Sequence, residues 1–249
     1  MDGTVKLRIG HLYPDLLNLY GDRGNVQCMV MRCVWRGIDV ETKEYNQGDK
    51  IDFSSLDILL LGGGSDREQR IVGSELRKIR EDFHSYVEDG GTVLAVCGGY
   101  QLLGHYYEIE GERIEGLSLV DLYTVQKAPR LISNIVLKNE ELPFEITGFE
   151  NHGGRTFIGK NRPFGKVLYG FGNNGEDQEE GVLYKNVTGT YLHGPLLPKN
   201  PHVCDRLLRS ALERKYGITQ LEALDDTQEK EANRYIVNRF CKNKKSTKR

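Results

Sequence analysis

Apolar positions in the first half of the chain fall into two alternating rhythms, short β-type runs and longer stretches with three- and four-residue steps, which predict strands separated by helices. Residues 5–12 read as a strand, and residues 25–36 as a helix entered through a glycine-containing turn at 21–24 and ended by Gly37. Residues 39–45 alternate as a second strand. Residues 56–61 are nearly continuous in apolar side chains, as parallel strands buried on both faces tend to be, and stop at Gly62, Gly63 and Gly64. Residues 67–88 read as one helix, with Leu76, Ile79, Phe83 and Val87 on its apolar face and Gly90 and Gly91 closing it. A further buried strand spans 92–96, and another helix opens at Gly98. The alternation predicts a doubly wound, mostly parallel α/β sheet with helices on both faces.

Beyond residue 115 the rhythm shortens to strands at 131–137, 144–149, 166–170 and 181–191, followed by helices at 201–216 and 227–240. No internal repeat or linker divides the chain, so residues 1–241 are expected to form a single domain. Residues 242–249, with five Lys or Arg, are expected to be a disordered basic tail.

Composition narrows the class. With 249 residues, 38% of them hydrophobic and 28% charged, the chain is that of an ordinary globular protein. Its longest strictly aliphatic run, Ile58 to Leu61, is far short of the roughly 18–20 residues of a membrane span. The first residues carry Asp2, Lys6, Arg8 and Asp15 and lack the apolar core of an export signal, so a cytoplasmic location is expected. A net charge of −2, from 34 basic and 36 acidic residues, gives no field for nucleic acid. Five cysteines without a CxxC pair predict reduced thiols and no metal site. Glycine, at 29 residues, is in excess and clustered.

The cluster that carries chemistry is the stretch Thr92-Val-Leu-Ala-Val-Cys97-Gly-Gly-Tyr-Gln-Leu-Leu-Gly104, a buried strand turning into a helix with a thiol at the corner. A nucleophile on such a turn needs small residues two positions away on either side, and Ala95 and Gly99 meet that need. The helix N-terminus favours a thiolate, and the next amide, on Gly98, can bond an oxyanion. A base is required as well. His193, in Gly189-Thr-Tyr-Leu-His-Gly-Pro195, ends a strand at a glycine turn; His152, in Phe149-Glu-Asn-His-Gly-Gly-Arg155, is the alternative.

Cys97-Gly-Gly-Tyr-Gln-Leu-Leu-Gly104 followed by Tyr191-Leu-His-Gly194 resembles the class I (triad) glutamine amidotransferases, in particular the cobyric acid synthase-like branch. Within that branch, the stretches 18–25, 62–69, 149–156 and 184–187, together with His193-Gly-Pro-Leu-Leu-Pro198, are similar to the glutaminase subunits of lipid II isoglutaminyl synthases. The resemblance runs from about residue 7 to residue 217 and implies a flavodoxin-like scaffold. It implies that Cys97 attacks the side-chain amide of L-glutamine, that His193 moves the proton, and that Gly62, Gly63 and Gly64 join Gly98 in stabilising the oxyanion. Gln101 and Arg130 are implied to hold the substrate, a guanidinium being suited to the α-carboxylate. One position departs from the pattern. Most class I enzymes carry an acid two residues after the histidine, where this chain has Pro195, so a dyad or a triad completed from elsewhere is implied; Glu150, in the segment of His152, is an internal candidate.

Amidation of a carboxylate requires ATP, and this chain lacks a means of using it. Its nearest approach to a phosphate loop, Gly159 to Val167, has five spacers instead of four and Val167 in place of the magnesium-binding hydroxyl. The resemblance implies that ATP and magnesium sit on a separate Mur-ligase-like synthetase subunit of the MurT type, and the chain itself is expected to need no cofactor. Through that partner, the resemblance implies, ammonia reaches the D-glutamate of the lipid II stem peptide, with the protein cytoplasmic or peripheral at the inner membrane surface. Competing readings are a free-standing cysteine hydrolase or peptidase on the same scaffold, a glutaminase serving another amidation such as that of cobyrinate, and a redox module with Cys97 as its sensor thiol.

Overall fold

The computed structural model of the protein describes residues 5–242. The predicted tail at 242–249 lies, beyond Lys242, outside the described residues.

The chain begins with β1 (Lys6–Leu12), α1 (Arg23–Val34), β2 (Asp39–Tyr45) and β3 (Ile58–Leu61). It continues through α2 (Asp66–Lys78), α3 (Arg80–Glu88), β4 (Thr92–Val96) and the short α4 (Gly98–Leu102). Then come β5 (Tyr106–Ile109), β6 (Glu112–Glu115), the long β7 (Tyr123–Lys138) and β8 (Ile146–Phe157), and β9 (Gly165–Tyr169). The strands end with β10 (Glu179–Glu180), β11 (Val182–Tyr184) and β12 (Val187–Thr190). Helices α5 (Leu196–Lys199), α6 (Pro201–Tyr216) and α7 (Thr227–Val237) follow.

One sheet has the order β11-β12-β4-β3-β1-β2, parallel throughout except for β11, which is antiparallel to β12. Read from β2, this is the 2-1-3-4-5 order of a flavodoxin-like doubly wound sheet. Every residue of β3 and of Val93–Val96 in β4 is fully buried, which is why these runs read as continuously apolar. Strand β2 is different. It forms the sheet edge, and Asp39, Glu41, Lys43 and Glu44 on it are exposed, charges that discourage pairing with a further strand.

Two expectations need correction. The helix predicted over 67–88 is two helices separated at Ile79, whose backbone leaves the helical region (φ −112°, ψ 13°). No glycine or proline marks the break, so the three- and four-residue rhythm continues across it. The second half is also more ordered than isolated short strands. Strands β10, β9, β7, β5 and β6 form a second sheet, with β8 paired along β7, and this sheet is antiparallel except between β5 and β7. The mostly parallel arrangement thus describes the first sheet only. The β7–β8 ladder is interrupted between Gln126 and Leu131, which hid the N-terminal half of β7 from the periodicity. Among the described residues no helix is long and apolar enough to cross a membrane.

Candidate active site

Open parallel sheets bind ligands beyond the C-terminal ends of their strands, where chain directions diverge. Here four such ends converge: β1 leads into the turn Leu19–Asp22, β3 into Gly62–Gly64, β4 into Cys97, and β12 towards His193.

Cys97 occupies the corner between β4 and α4 with φ 50° and ψ −105°, a left-handed conformation uncommon for a residue with a side chain. The corner is held by Cys97 N–H donating to Thr190 O at 2.8 Å and by Gly99 N–H donating to Gly62 O at 3.0 Å. A Cβ on Gly99 would lie 2.7 Å from Leu61 Cβ and 2.8 Å from Leu61 O, so glycine is needed there for α4 to pass β3. The thiol is buried, and desolvation pushes it up to about 12, reinforced by the charge of Asp22 and opposed by the Gly98 N–H. The thiolate expected from a helix N-terminus is thus not favoured in this state. Helix α4 has only five residues, and burial outweighs its dipole.

The three loop glycines sit beside the thiol in different ways. A Cβ on Gly63 would come within 3.1 Å of Cys97 Cβ and 3.3 Å of His193 Cε1, which places Gly63 between the thiol and the imidazole. Its N–H donates to Asp22 Oδ2 at 2.7 Å, and its carbonyl accepts from Leu19 N–H at 2.9 Å. The Gly62 carbonyl serves Gly99, and the Gly64 carbonyl accepts from Gln69 Nε2 at 3.2 Å. Asp22 has no solvent exposure, and burial raises its carboxyl to about 6 against the lowering effect of the Gly63 bond.

His193 is fully buried, and neither ring nitrogen has a hydrogen-bond partner. Its N–H donates to Phe149 O at 2.7 Å, and Tyr20 packs over its ring at a centroid distance of 4.1 Å. Desolvation, followed by electrostatic interaction with His152, Arg130 and Lys199, pushes the imidazole down to about 3. The pair is thus a neutral thiol and a neutral imidazole. Glu150 is not folded back towards His193: its two oxygens accept from the N–H groups of Phe171 (2.7 Å) and Gly172 (2.9 Å). His152, the alternative base, stacks on Tyr191 at 3.6 Å with an interplanar angle of 5°, its Nδ1 is 2.8 Å from Gly154 O, and its Nε2 lies 3.7 Å from Glu150. Because a carbonyl only accepts, Nδ1 carries a proton.

A cavity of about 170 Å³ opens on this corner, lined by Cys97, Gly64, Gln101, Arg130, Asn151 and His152 among others. Arg130 belongs to the interrupted stretch of β7, the kind of irregularity that re-aims a side chain beside a site. Its Nε and one terminal nitrogen donate to Asn151 Oδ1, both at 3.1 Å, and the latter also to the Asn151 carbonyl. Gln101 gives its amide N–H to Tyr191 OH at 3.0 Å, while its Oε1 is buried without a partner. Cys97, Gly64, Gln101 and Arg130 thus line one cavity, whereas Gly62, Gly63, Gly98 and His193 do not line it. Reading the sequence assigned no role to Asp22, Tyr20 or Asn151. Asp22 and Tyr20 belong to the stretch 18–25 that carried part of the resemblance, but nothing in their local pattern points to β3 or β12.

A profile described as the CobB/CobQ-like glutamine amidotransferase domain matches residues 8–201. The chain is 43% identical over 242 residues to the GatD subunit of lipid II isoglutaminyl synthase (glutamine-hydrolyzing) from Staphylococcus aureus, covering 97% of this chain and 99% of that protein. It is 44% identical to the GatD subunit from Streptococcus pneumoniae, over 89% of this chain and 86% of that one. Cobyric acid synthase from Listeria innocua is 32% identical over 57% of this chain, which corresponds to 29% of that enzyme. In three dimensions the chain is similar to a crystal structure of a glutamine amidotransferase, with a TM-score of 0.54 and 18% identity over 82% of this chain and 98% of that one. With its four strand ends arranged around a cysteine corner, the chain belongs to the CobB/CobQ-like glutamine amidotransferase family.

Proposed function

We propose that this chain is the glutaminase subunit of a lipid II isoglutaminyl synthase, hydrolysing L-glutamine and passing ammonia to a Mur-ligase-like synthetase subunit that holds ATP and magnesium and amidates the lipid II stem peptide. The observation that carries the chemistry is the strained Cys97 corner, which opens on a small cavity shared with Arg130 and Gln101. The end-to-end similarity to two GatD subunits supports the choice of acceptor.

In this reading Arg130 takes the α-carboxylate of glutamine, and the unpartnered Gln101 Oε1 accepts from its α-ammonium. Cys97 Sγ bonds to the side-chain carbonyl carbon while its proton passes to His193. The carbonyl oxygen becomes an oxyanion met by Gly98 N–H and the Gly62–Gly64 loop. His193 then returns the proton to the departing nitrogen, the C–N bond breaks, and ammonia leaves a γ-glutamyl thioester. Water cleaves the thioester to glutamate and restores the thiol. With the thiol pushed up and the imidazole pushed down, this proton transfer is uphill in the chain alone, and an acid on the far ring nitrogen would ease it by stabilising the imidazolium.

The free ring nitrogens of His193, the Pro195 at the usual acid position and the engagement of Glu150 elsewhere favour an orienting acid brought by the synthetase subunit. The test is glutaminase kcat/KM of the chain alone and with that subunit. Replacing the orienting acid of a Ser-His-Asp enzyme costs about 10⁴ in kcat, so an increase of at least about 10² on assembly is expected. Cys97→Ser should abolish ammonia release in the complex and leave thermal unfolding in place. Equal activity with and without the subunit, lost on Glu150→Gln, would show an internal triad; activity retained in folded Cys97→Ser would remove the assignment altogether.

A further inference from the structure

Asp22 stands at the N-terminus of α1, a position where an aspartate ordinarily folds back to accept a first-turn amide. It makes no such bond; Asn18 Oδ1 accepts the Arg23 N–H, at the first helical position, at 3.0 Å. Its carboxyl, without solvent exposure, reaches across to the loop after β3. There Oδ2 accepts the Gly63 N–H at 2.7 Å, and Oδ1 has no partner. Burying a carboxyl with one oxygen unmatched is unfavourable, so the residue is placed at a cost that helix capping would have avoided.

What it holds is the peptide pair around Gly63. The Gly62–Gly63 peptide is fixed at both ends, its carbonyl by Gly99 N–H and its N–H by Asp22. The Gly63–Gly64 peptide is fixed through its carbonyl by Leu19 N–H. In a trans peptide the N–H points opposite to the carbonyl, so the Gly64 amide is turned away from Leu19. Gly64 lines the cavity that holds Cys97. The turn Leu19–Asp22 therefore grips the loop on both sides of Gly63, and between those grips Tyr20 covers the ring of His193.

We infer that Asp22 is a positioning residue: by accepting the Gly63 N–H it orients the Gly62–Gly64 loop so that the loop presents an amide to the oxyanion that forms over Cys97. The inference rests on the glutaminase reading for its chemistry, while the bond itself can be tested without it. The full chain, in the complex in which it purifies, is compared with Asp22→Ala and Asp22→Asn by steady-state glutaminase kinetics and by hydrogen exchange at the Gly63 amide. Loss of one oxyanion-hole donor costs about 10²–10³ in kcat, so Asp22→Ala should lose that much with KM changed by less than about threefold, and Gly63 should exchange faster. Asp22→Asn keeps an oxygen for the same N–H; it should recover kcat to within about tenfold of wild type and keep Gly63 protected.

An unchanged or raised kcat in Asp22→Ala would overturn the inference, making the bond mere packing or a restraint on activity. So would equal losses in both variants with Gly63 still protected in Asp22→Asn, since the carboxylate charge would then matter and not the bond. If the wild-type complex releases no ammonia from glutamine, the glutaminase reading fails separately. Gly63 exchange then decides alone whether Asp22 holds the loop, and unaltered exchange in Asp22→Ala rejects it.

Discussion

Burial decides the charge of the residues around the cysteine corner. The thiol of Cys97 is pushed up and the imidazole of His193 down by the same loss of water, so the resting pair is neutral although the helix N-terminus suggested a thiolate. Glu180 shows the same effect more simply. It is fully buried, accepts from Tyr191 N–H at 2.6 Å and from Thr190 Oγ1 at 3.1 Å, and is pushed up to about 8, mainly by desolvation. In the unfolded chain the carboxyl loses its proton near 4.5, whereas the folded protein keeps it until about 8. Between those values the folded state binds more protons, so this group's contribution to stability falls as pH rises through the window and is fully lost above about 8. Glu180→Gln, which cannot ionise, should therefore gain on wild type between pH 5 and pH 8 by on the order of 2–4 kcal/mol in chemical unfolding. A difference between the two proteins that stays constant over that range would mean that Glu180 ionises normally in the fold.

Among the elements, β3 and α4 pass each other closely. Gly99 is required there by contact with backbone as well as side chain: the Leu61 and Gly62 carbonyl oxygens would lie 2.8 and 2.9 Å from an added Cβ. Backbone at that distance cannot rotate aside, so α4 would have to move away from the sheet and carry Cys97 with it. Gly99→Ala should destabilise the protein by about 1–3 kcal/mol and lower glutaminase activity beyond what the loss of folded protein explains. Wild-type activity per folded molecule would show that the corner tolerates the shift. The need for small residues around the thiol was legible in the sequence, because the strand-to-helix turn is local. The break between α2 and α3 was not, since Leu76, Phe83 and Val87 are buried on either side of it and the rhythm of apolar positions is preserved.

Across the whole molecule, the C-terminal helices are fastened to α1 by a cluster of charges. Arg32, with only 3% of its side chain exposed, bonds Asp205 on α6 at 2.7 Å and Asp226, just ahead of α7, at 2.6 Å, and Arg36 adds a 2.8 Å bond to Asp205. Removing one member of a buried ion pair leaves the other charge uncompensated, which typically costs about 3–5 kcal/mol. Arg32→Ala should lower unfolding free energy by that amount in urea titration, and adding Asp226→Asn should restore part of it. A loss below about 1 kcal/mol would reduce the cluster to ordinary surface pairing.

The sequence by itself determined the order of elements in the parallel half, the cysteine corner and the glycines around it, because hydrophobic periodicity and backbone strain act over a few residues. It also carried a family resemblance strong enough to name Cys97, His193 and Arg130. Only the tertiary structure decided that Asp22 reaches Gly63 from the end of another strand, that Glu150 serves the amides of Phe171 and Gly172, that His193 stands with both nitrogens free, and that the thiol is neutral. Each of these depends on which groups meet across distant segments and on how much water is left between them, and no local pattern of residues records either.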